Sequence, residues 1–248
     1  MLAILTGSAP LGLAREGRPV PIPPLDYGVP SGPLVTVDIA GVTVLLLARH
    51  GQPHQLAPHQ INYRANIELL ARSGVQRVIA LNTVGGIAAD AYPGRLVVPE
   101  QLIDYTWGRA HTFVDVEPLR HADFEHPFDA GLRQALLAAG AACGLDLLAT
   151  GVYGCTQGPR LETVAEIERM DRDGCTLVGM TGMPEAALAR ERGLAYAMLS
   201  LVVNPAAGRA HDPFNLERIA ERMATGMAAV EQLLVAFTGQ GGPRRSGQ

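Results

Sequence analysis

Apolar and polar positions fall in short blocks along this chain, and most blocks end in Gly, Pro or a small polar cluster. Leu2 to Leu5 is a first apolar run that closes at Thr6-Gly7-Ser8. Residues 10–33 are rich in Pro and Gly and predict an irregular excursion. Val35 to Ile39 and Val42 to Leu47 flank Ala40-Gly41 and predict a hairpin. The period then changes: Ile61, Ala65 and Leu69, with Leu70 beside it, recur at helical spacing as far as Arg72, and Gly74 ends the helix. Val78 to Leu81 is a buried strand, followed by short strands at Leu96 to Val98 and Leu102 to Tyr105. Trp107 to His126 has mixed polarity and no period, and predicts a long loop. Phe128 to Cys143 reads as a helix, Leu147 to Tyr153 as a strand, Thr163 to Arg172 as a helix and Leu177 to Met180 as a strand. A helix at Pro184 to Arg192, a strand at Ala195 to Val203 and a long helix at Leu216 to Phe237 complete the series, the last with Asn215 or Asp212 as N-cap. Such alternation, without repeat or linker, predicts one α/β domain over residues 1–238 with a mixed central sheet covered by helices on both faces. The Gly-, Pro-, Arg- and Ser-containing residues 239–248 are expected to form a flexible tail.

Composition narrows the possibilities. With 48% hydrophobic and only 5% aromatic residues in 248, the core must be large and mostly aliphatic. A net charge of −4, with no basic cluster beyond Arg244-Arg245, argues against nucleic acid as a partner. The first residues lack a basic leader and are broken at once by Gly7 and Pro10, so they predict a strand and not a signal peptide. No apolar run approaches the roughly 20 residues that span a bilayer. Cys143, Cys155 and Cys175 are odd in number and widely spaced, which fits a reducing cytoplasm better than a disulfide frame or zinc site.

Candidate chemistry collects at strand ends. Arg49-His50-Gly51 closes an apolar strand, where an arginine can clamp an oxyanion and the histidine can add a donor. Thr6-Gly7-Ser8, Asn82-Thr83-Val84-Gly85-Gly86 and Met180-Thr181-Gly182 each follow a strand-like run, and small turns of that kind expose N–H groups and hydroxyls to an anion. Glu162 lies in the loop from strand to helix that also holds Gly158-Pro159; a carboxylate there can face a ligand or merely cap the next helix. There is no Gly-x-Ser-x-Gly, no His-Glu-x-x-His and no paired metal-ligand spacing. An oxyanion pocket without a covalent nucleophile suits phosphate as the attacking group.

Several of these residues carry a resemblance. Leu46-Leu47-Ala48-Arg49-His50-Gly51 with His54, Pro58 and Asn62-Tyr63-x-x-Asn66, together with Gly158-Pro159-Arg160 and Met180-Thr181-Gly182-Met183-Pro184-Glu185, are similar to the trimeric purine nucleoside phosphorylase and methylthioadenosine phosphorylase family. The likeness runs from Leu2 to about Phe237. It implies the three-layer α/β/α nucleoside phosphorylase fold, a homotrimer, and phosphorolysis of a purine nucleoside to free base and a ribose 1-phosphate. No metal or organic cofactor is implied; inorganic phosphate is a co-substrate. By position, the phosphate ligands would be Ser8, Arg49, His50, Thr83 (chiefly through its backbone) and Thr181. Met180 would lie against the ribose, and Leu161 would cover the purine where the family usually has phenylalanine. His121 matches a residue that reaches the neighbouring subunit's 5′ pocket.

The resemblance also bears on the substrate. Methylthioadenosine-type members carry aspartate at the positions of Asn204 and Ala206, whereas Glu162 with Asn204 matches the pair that 6-oxopurine phosphorylases set against the base. A 6-oxopurine offers an N1–H donor and an O6 acceptor, complementary to a carboxylate and an amide NH₂; adenine offers a bare N1. Asn204, Glu162 and His50 are therefore the expected catalytic groups. At the sugar's 5′ end Leu216 falls where oxopurine enzymes carry a histidine, and an apolar residue suits a methylthio group; His211 is close enough to be an alternative. The expectation is phosphorolysis of S-methyl-5′-thioinosine to hypoxanthine and 5-methylthioribose 1-phosphate. Methylthioadenosine phosphorolysis, general inosine/guanosine phosphorolysis, and nucleoside binding without turnover remain alternatives.

Overall fold

The computed structural model describes residues 1–8, 11–12, 17–114, 117–210 and 216–241, with the side chains of residues 216, 240 and 241 outside the description. Predictions that fall on Asp212, Asn215, His211 and the Leu216 side chain therefore lie outside the described residues.

The centre of the sheet is Leu2–Thr6 (β1), buried along its whole length. It runs parallel to Val42–Ala48 (β4) on one side and to Arg77–Gly86 (β5) on the other. A strand flanked on both edges and covered on both faces leaves no room for polar side chains, so it reads as an unbroken apolar run. Outside β4 lie Leu34–Ile39 (β3), its antiparallel hairpin partner, and then Arg18–Pro19 (β2). The hairpin turn puts both Ala40 and Gly41 at positive φ, 53° and 79°, the twist that a two-residue connection needs.

On its other edge β5 pairs along its whole length with Ala195–Pro205 (β11), parallel. Leu96–Val97 (β6) and Leu147–Leu148 (β8) extend that branch. At the far end of β5, Gly85 and Gly86 pair antiparallel with Leu177–Gly179 (β10). This second branch continues through Val152–Cys155 (β9) to Gln101–Asp104 (β7). Among the described residues, eleven strands thus form one mixed sheet that forks at β5.

Alternation along the strands sorts the core into two layers. Ala3, Leu5, Leu47, Val78 and Met198 share a cluster with residues of Tyr63–Arg72 (α1) and Gly182–Glu191 (α4). Leu2, Ile4, Leu46, Ile79 and Leu199 share the other with Ala130–Ala142 (α2) and Leu216–Gly241 (α5). The result is the expected three-layer α/β/α domain, with Val164–Arg172 (α3) covering the second branch through Ile167 and Met170. Among the described residues, no helix is long and apolar enough to cross a membrane.

Two local expectations are corrected. Asn82 to Gly86 is not a turn after a strand but the last half of β5, because β11 and β10 both pair with it. Glycine is required at 86, where a Cβ would overlap the Ala91 carbonyl. The run Leu147 to Tyr153 is two strands and not one: at Gly151, φ 145°, the chain leaves β6 and crosses to the β10 branch. The last helix also continues beyond Phe237 to Gly241.

Candidate active site

A cleft of about 720 Å³ opens where the sheet forks, beyond the carboxyl ends of β1, β4, β10 and β11. Open α/β sheets take ligands at such places, where backbone groups at the strand ends are unpaired. Its polar end is lined by Gly7, Ser8, His50, Asn82, Thr83 and Thr181. Leu161, Glu162, Val178, Met180, Asn204 and Ala206 line the same cleft. Nine of the predicted residues, scattered from Ser8 to Ala206, therefore share one cavity. Three do not. Arg49 lies behind the lining, His121 is exposed and outside the cleft of its own chain, and the Leu216 side chain is outside the described residues.

Arg49 is completely buried. Its Nε and Nη2 donate to Oε2 and Oε1 of Glu185, each at 2.8 Å, and Nη1 donates to the Leu81 carbonyl at 2.8 Å. The Tyr196 hydroxyl donates a further 2.8 Å bond to Glu185 Oε1. Burial alone would pull the guanidinium pKa down, but Glu185 more than offsets it and holds it above the usual arginine range. Gly7 lets the turn after β1 lie directly against this cation: a Cβ there would sit 3.3 Å from Nη1. Three of five N–H donors are used by these bonds, which leaves one on each Nη.

His50 is held the opposite way, as a neutral ring. Nδ1 is 2.8 Å from the Leu56 carbonyl, which can only accept, so Nδ1 carries the proton and Nε2 is the polar atom left for the cleft. Burial pushes its pKa down to about 4, with Arg49 and the stacked His54 ring, 4.3 Å away, adding to the effect. Thr181 precedes the first turn of α4, at the positive end of that helix. Its hydroxyl donates to Asn82 Oδ1 at 3.0 Å, and its N–H faces the buried Tyr153 hydroxyl at 3.4 Å.

Glu162 has a clear assignment against helix capping. Thr163 accepts from the Glu166 N–H, and the Glu166 carboxylate accepts from the Thr163 N–H, so α3 is closed by its own capping box. Glu162 instead accepts from the Thr156 hydroxyl at 2.6 Å and lines the cleft. Asn204 donates from Nδ2 to the Pro205 carbonyl at 2.7 Å. Leu161 is half exposed at the opening, whereas Ala206 is buried. From α5, Arg218, Ile219 and Arg222 complete the lining; Ile219 lies one turn along from Leu216.

Sequence reasoning missed the partners. Glu185 and Tyr196 lie in a helix and a strand with no periodic mark of their service to Arg49, and Arg109, which donates to the Thr156, Gln157, Met180 and Met183 carbonyls, belongs to an aperiodic loop. Only Glu185, inside the motif from Met180, carried any signal at all.

The fold and this cleft define a class. The model of the phosphorylase superfamily matches residues 2–238, and the chain belongs to that superfamily. It is 52% identical over 222 residues, 89% of each chain, to a Pseudomonas syringae pv. tomato protein named probable S-methyl-5′-thioinosine phosphorylase. A Xanthomonas campestris pv. campestris protein of the same name is 57% identical over 184 residues, 73% of this chain and 74% of that one. Methylthioadenosine phosphorylase from Schistosoma mansoni, solved in complex with adenine, matches with a TM-score of 0.88 at 28% identity, over 96% of this chain and 91% of that chain.

Proposed function

We propose that this enzyme cleaves the N-glycosidic bond of S-methyl-5′-thioinosine with inorganic phosphate, giving hypoxanthine and 5-methylthioribose 1-phosphate. The observation that carries the reading is that Glu162 and Asn204 line one cleft together with Ala206, an alanine where a carboxylate would favour adenine. Glu162 accepts from purine N1–H and Asn204 donates to O6 or N7, a pattern that 6-aminopurines cannot satisfy. Phosphate sits among Ser8, the Thr83 backbone and Thr181, with the Arg49 charge behind it; the unprotonated Nε2 of neutral His50 accepts from the protonated oxygen of HPO₄²⁻ and is not the donor that the sequence led one to expect.

The chemistry follows from that arrangement. Phosphate approaches C1′ as the glycosidic bond loosens, and its negative charge stabilises the oxocarbenium-like ribosyl group. Charge flowing into the purine is met by the Asn204 amide. Met180 supports the ribose, and Ile219 of α5 offers an apolar surface to a 5′-methylthio group. The active form in this proposal is a cytoplasmic homotrimer in which His121 reaches a neighbouring cleft, and no metal or organic cofactor takes part.

The test is base release from methylthioinosine, inosine, guanosine, methylthioadenosine and adenosine, with and without phosphate. Burying a methyl-sized group and leaving a hydroxyl unpaired act in the same direction, so methylthioinosine should exceed inosine by at least about tenfold in kcat/KM. A preference for methylthioadenosine would overturn the base assignment. Equal rates with inosine would overturn the apolar 5′ pocket. Binding without phosphate-dependent turnover would make the chain a nucleoside-binding protein.

A further inference from the structure

We propose that Arg109 is a positioning residue of this cleft, whose buried guanidinium holds the purine-facing loop, the strand end beside the ribose and the Pro58 wall in one register. The proposal rests on the reading of the cleft as a nucleoside site. Arg109 lies in the long loop after β7 and belongs to no helix or strand, yet it is buried. Among the described residues it forms no ion pair, and its donors all go to neutral oxygens. Nε donates to Gln157 Oε1 at 3.2 Å, and Nη2 donates to the carbonyls of Gln157 at 2.8 Å and Thr156 at 3.2 Å. Nη1 donates to the Met180 carbonyl at 2.9 Å, to the Met183 carbonyl and to the Tyr63 hydroxyl at 3.2 Å.

These acceptors belong to three different parts of the site. Thr156 is the residue whose hydroxyl donates to Glu162 at 2.6 Å, so Arg109 grips the backbone of the residue that orients the purine-reading carboxylate. Met180 and Met183 bracket Thr181. The Tyr63 hydroxyl donates a hydrogen bond to the Pro58 carbonyl at 2.9 Å, and Pro58 lines the cleft. A planar fork can serve several carbonyls on different sides at once; a lysine ammonium on a flexible stem cannot reproduce that geometry. Burying a cation with no anionic partner is costly even with the Tyr63 ring beside it, 5.5 Å from the guanidinium carbon, and an apolar side chain would fill the space without that cost. The arrangement is explained by what it aligns.

Misplacing reacting groups by about 1 Å costs on the order of 100-fold in rate. Ser8, His50 and Thr83 receive nothing from Arg109, and Thr181 alone of the phosphate residues lies between two of its acceptors, so the loss should fall mainly on the nucleoside and only mildly on phosphate. The experiment compares the wild-type chain with Arg109→Ala and Arg109→Lys, each with and without guanidinium far below unfolding concentrations. It measures kcat and KM for methylthioinosine and for phosphate, the ratio of 6-oxo to 6-amino substrates, and the unfolding midpoint. Arg109→Ala should lose on the order of 100-fold in kcat/KM for the nucleoside, with phosphate KM within about threefold of wild type. Its preference for 6-oxopurines should shrink, guanidinium should restore part of the activity, and Arg109→Lys should remain impaired. Wild-type nucleoside kinetics in either variant would overturn the proposal. So would a loss shared equally by nucleoside and phosphate with base preference intact and no rescue. If Arg109→Ala does not fold, Arg109→Lys is judged by the same criteria. A wild-type chain inactive on every nucleoside would refute the proposed function instead. Arg109 is then judged by calorimetry of hypoxanthine binding, where equal affinity in wild type and Arg109→Lys overturns its role.

Discussion

Arg49 and Glu185, 136 positions apart in the chain, meet fork to fork behind the polar end of the cleft, with both N–H···O distances at 2.8 Å. The cation proposed to draw phosphate into the site is thus also half of a buried ion pair, and its removal has two consequences.

Arg49→Ala should abolish phosphate-dependent turnover and, by stranding the Glu185 charge, also cost about 3–5 kcal/mol of stability. The double variant Arg49→Met with Glu185→Met should regain most of that stability, because no lone charge stays buried, yet remain inactive. Urea unfolding and turnover at subsaturating phosphate separate the two effects. Near-normal turnover in Arg49→Ala would remove Arg49 from the phosphate site.

His50 makes stability depend on acid. Its folded-state pKa of about 4 lies below the ordinary value of 6.5, so the unfolded chain binds the extra proton between those limits. The stabilisation from neutral His50 is therefore complete above about pH 6.5 and is lost as pH falls toward 4, by about 3 kcal/mol in all. His50→Gln should flatten that part of the profile. Parallel pH–stability curves for the two proteins would refute the burial argument.

The Thr156–Glu162 bond gives a test of the base wall. Thr156→Val keeps the shape but removes the donor that fixes the carboxylate, and should lower kcat/KM for 6-oxopurine nucleosides by about tenfold. Phosphate KM should stay unchanged. Glu162→Gln should cost more, on the order of 100-fold, since the groove then presents an amide to N1–H. Equal activity of wild type and Glu162→Gln on methylthioinosine would show that Glu162 does not read the base.

Exchanging the base wall should exchange the base. Asn204→Asp with Ala206→Asp should move the ratio of methylthioadenosine to methylthioinosine efficiencies upward by at least about tenfold. A protonated carboxyl at 204 can donate to N7 while its other oxygen accepts from N6; the Asn204 amide can make the same pair, so the shift rests mainly on the carboxylate that Ala206→Asp sets against the 6-amino group. An unchanged ratio in a folded double variant would mean that these positions do not contact the purine edge.

Tyr153 depends on the absence of side chains near it. A Cβ at Gly179 would overlap the Tyr153 hydroxyl, and that ring is completely buried. Gly179→Ala should therefore destabilise the fold by about 1–3 kcal/mol and disturb Thr181, whose N–H faces the same hydroxyl. Adding Tyr153→Phe should recover part of the stability. Thermal unfolding of the three variants decides it.

The sequence by itself determined the alternation of strands and helices, the two-faced core, and the placing of Ser8, His50, Thr181, Glu162 and Asn204 at or just beyond strand ends. These were legible because burial imposes a period of two or 3.6 on each element locally, and because turns after buried strands are the places where polar residues can stand. Tertiary structure alone decided how far β5 runs, since Asn82 to Gly86 look like a turn until β11 and β10 pair with them. It likewise decided that the chain breaks at Gly151, where two branches of the sheet claim successive pieces of one apolar run. Glu185 behind Arg49, Thr156 beside Glu162 and the span of Arg109 were hidden for a related reason. A hydrogen bond between distant segments leaves no periodic trace along the chain, so only packing the helices against the forked sheet reveals which polar groups must satisfy one another.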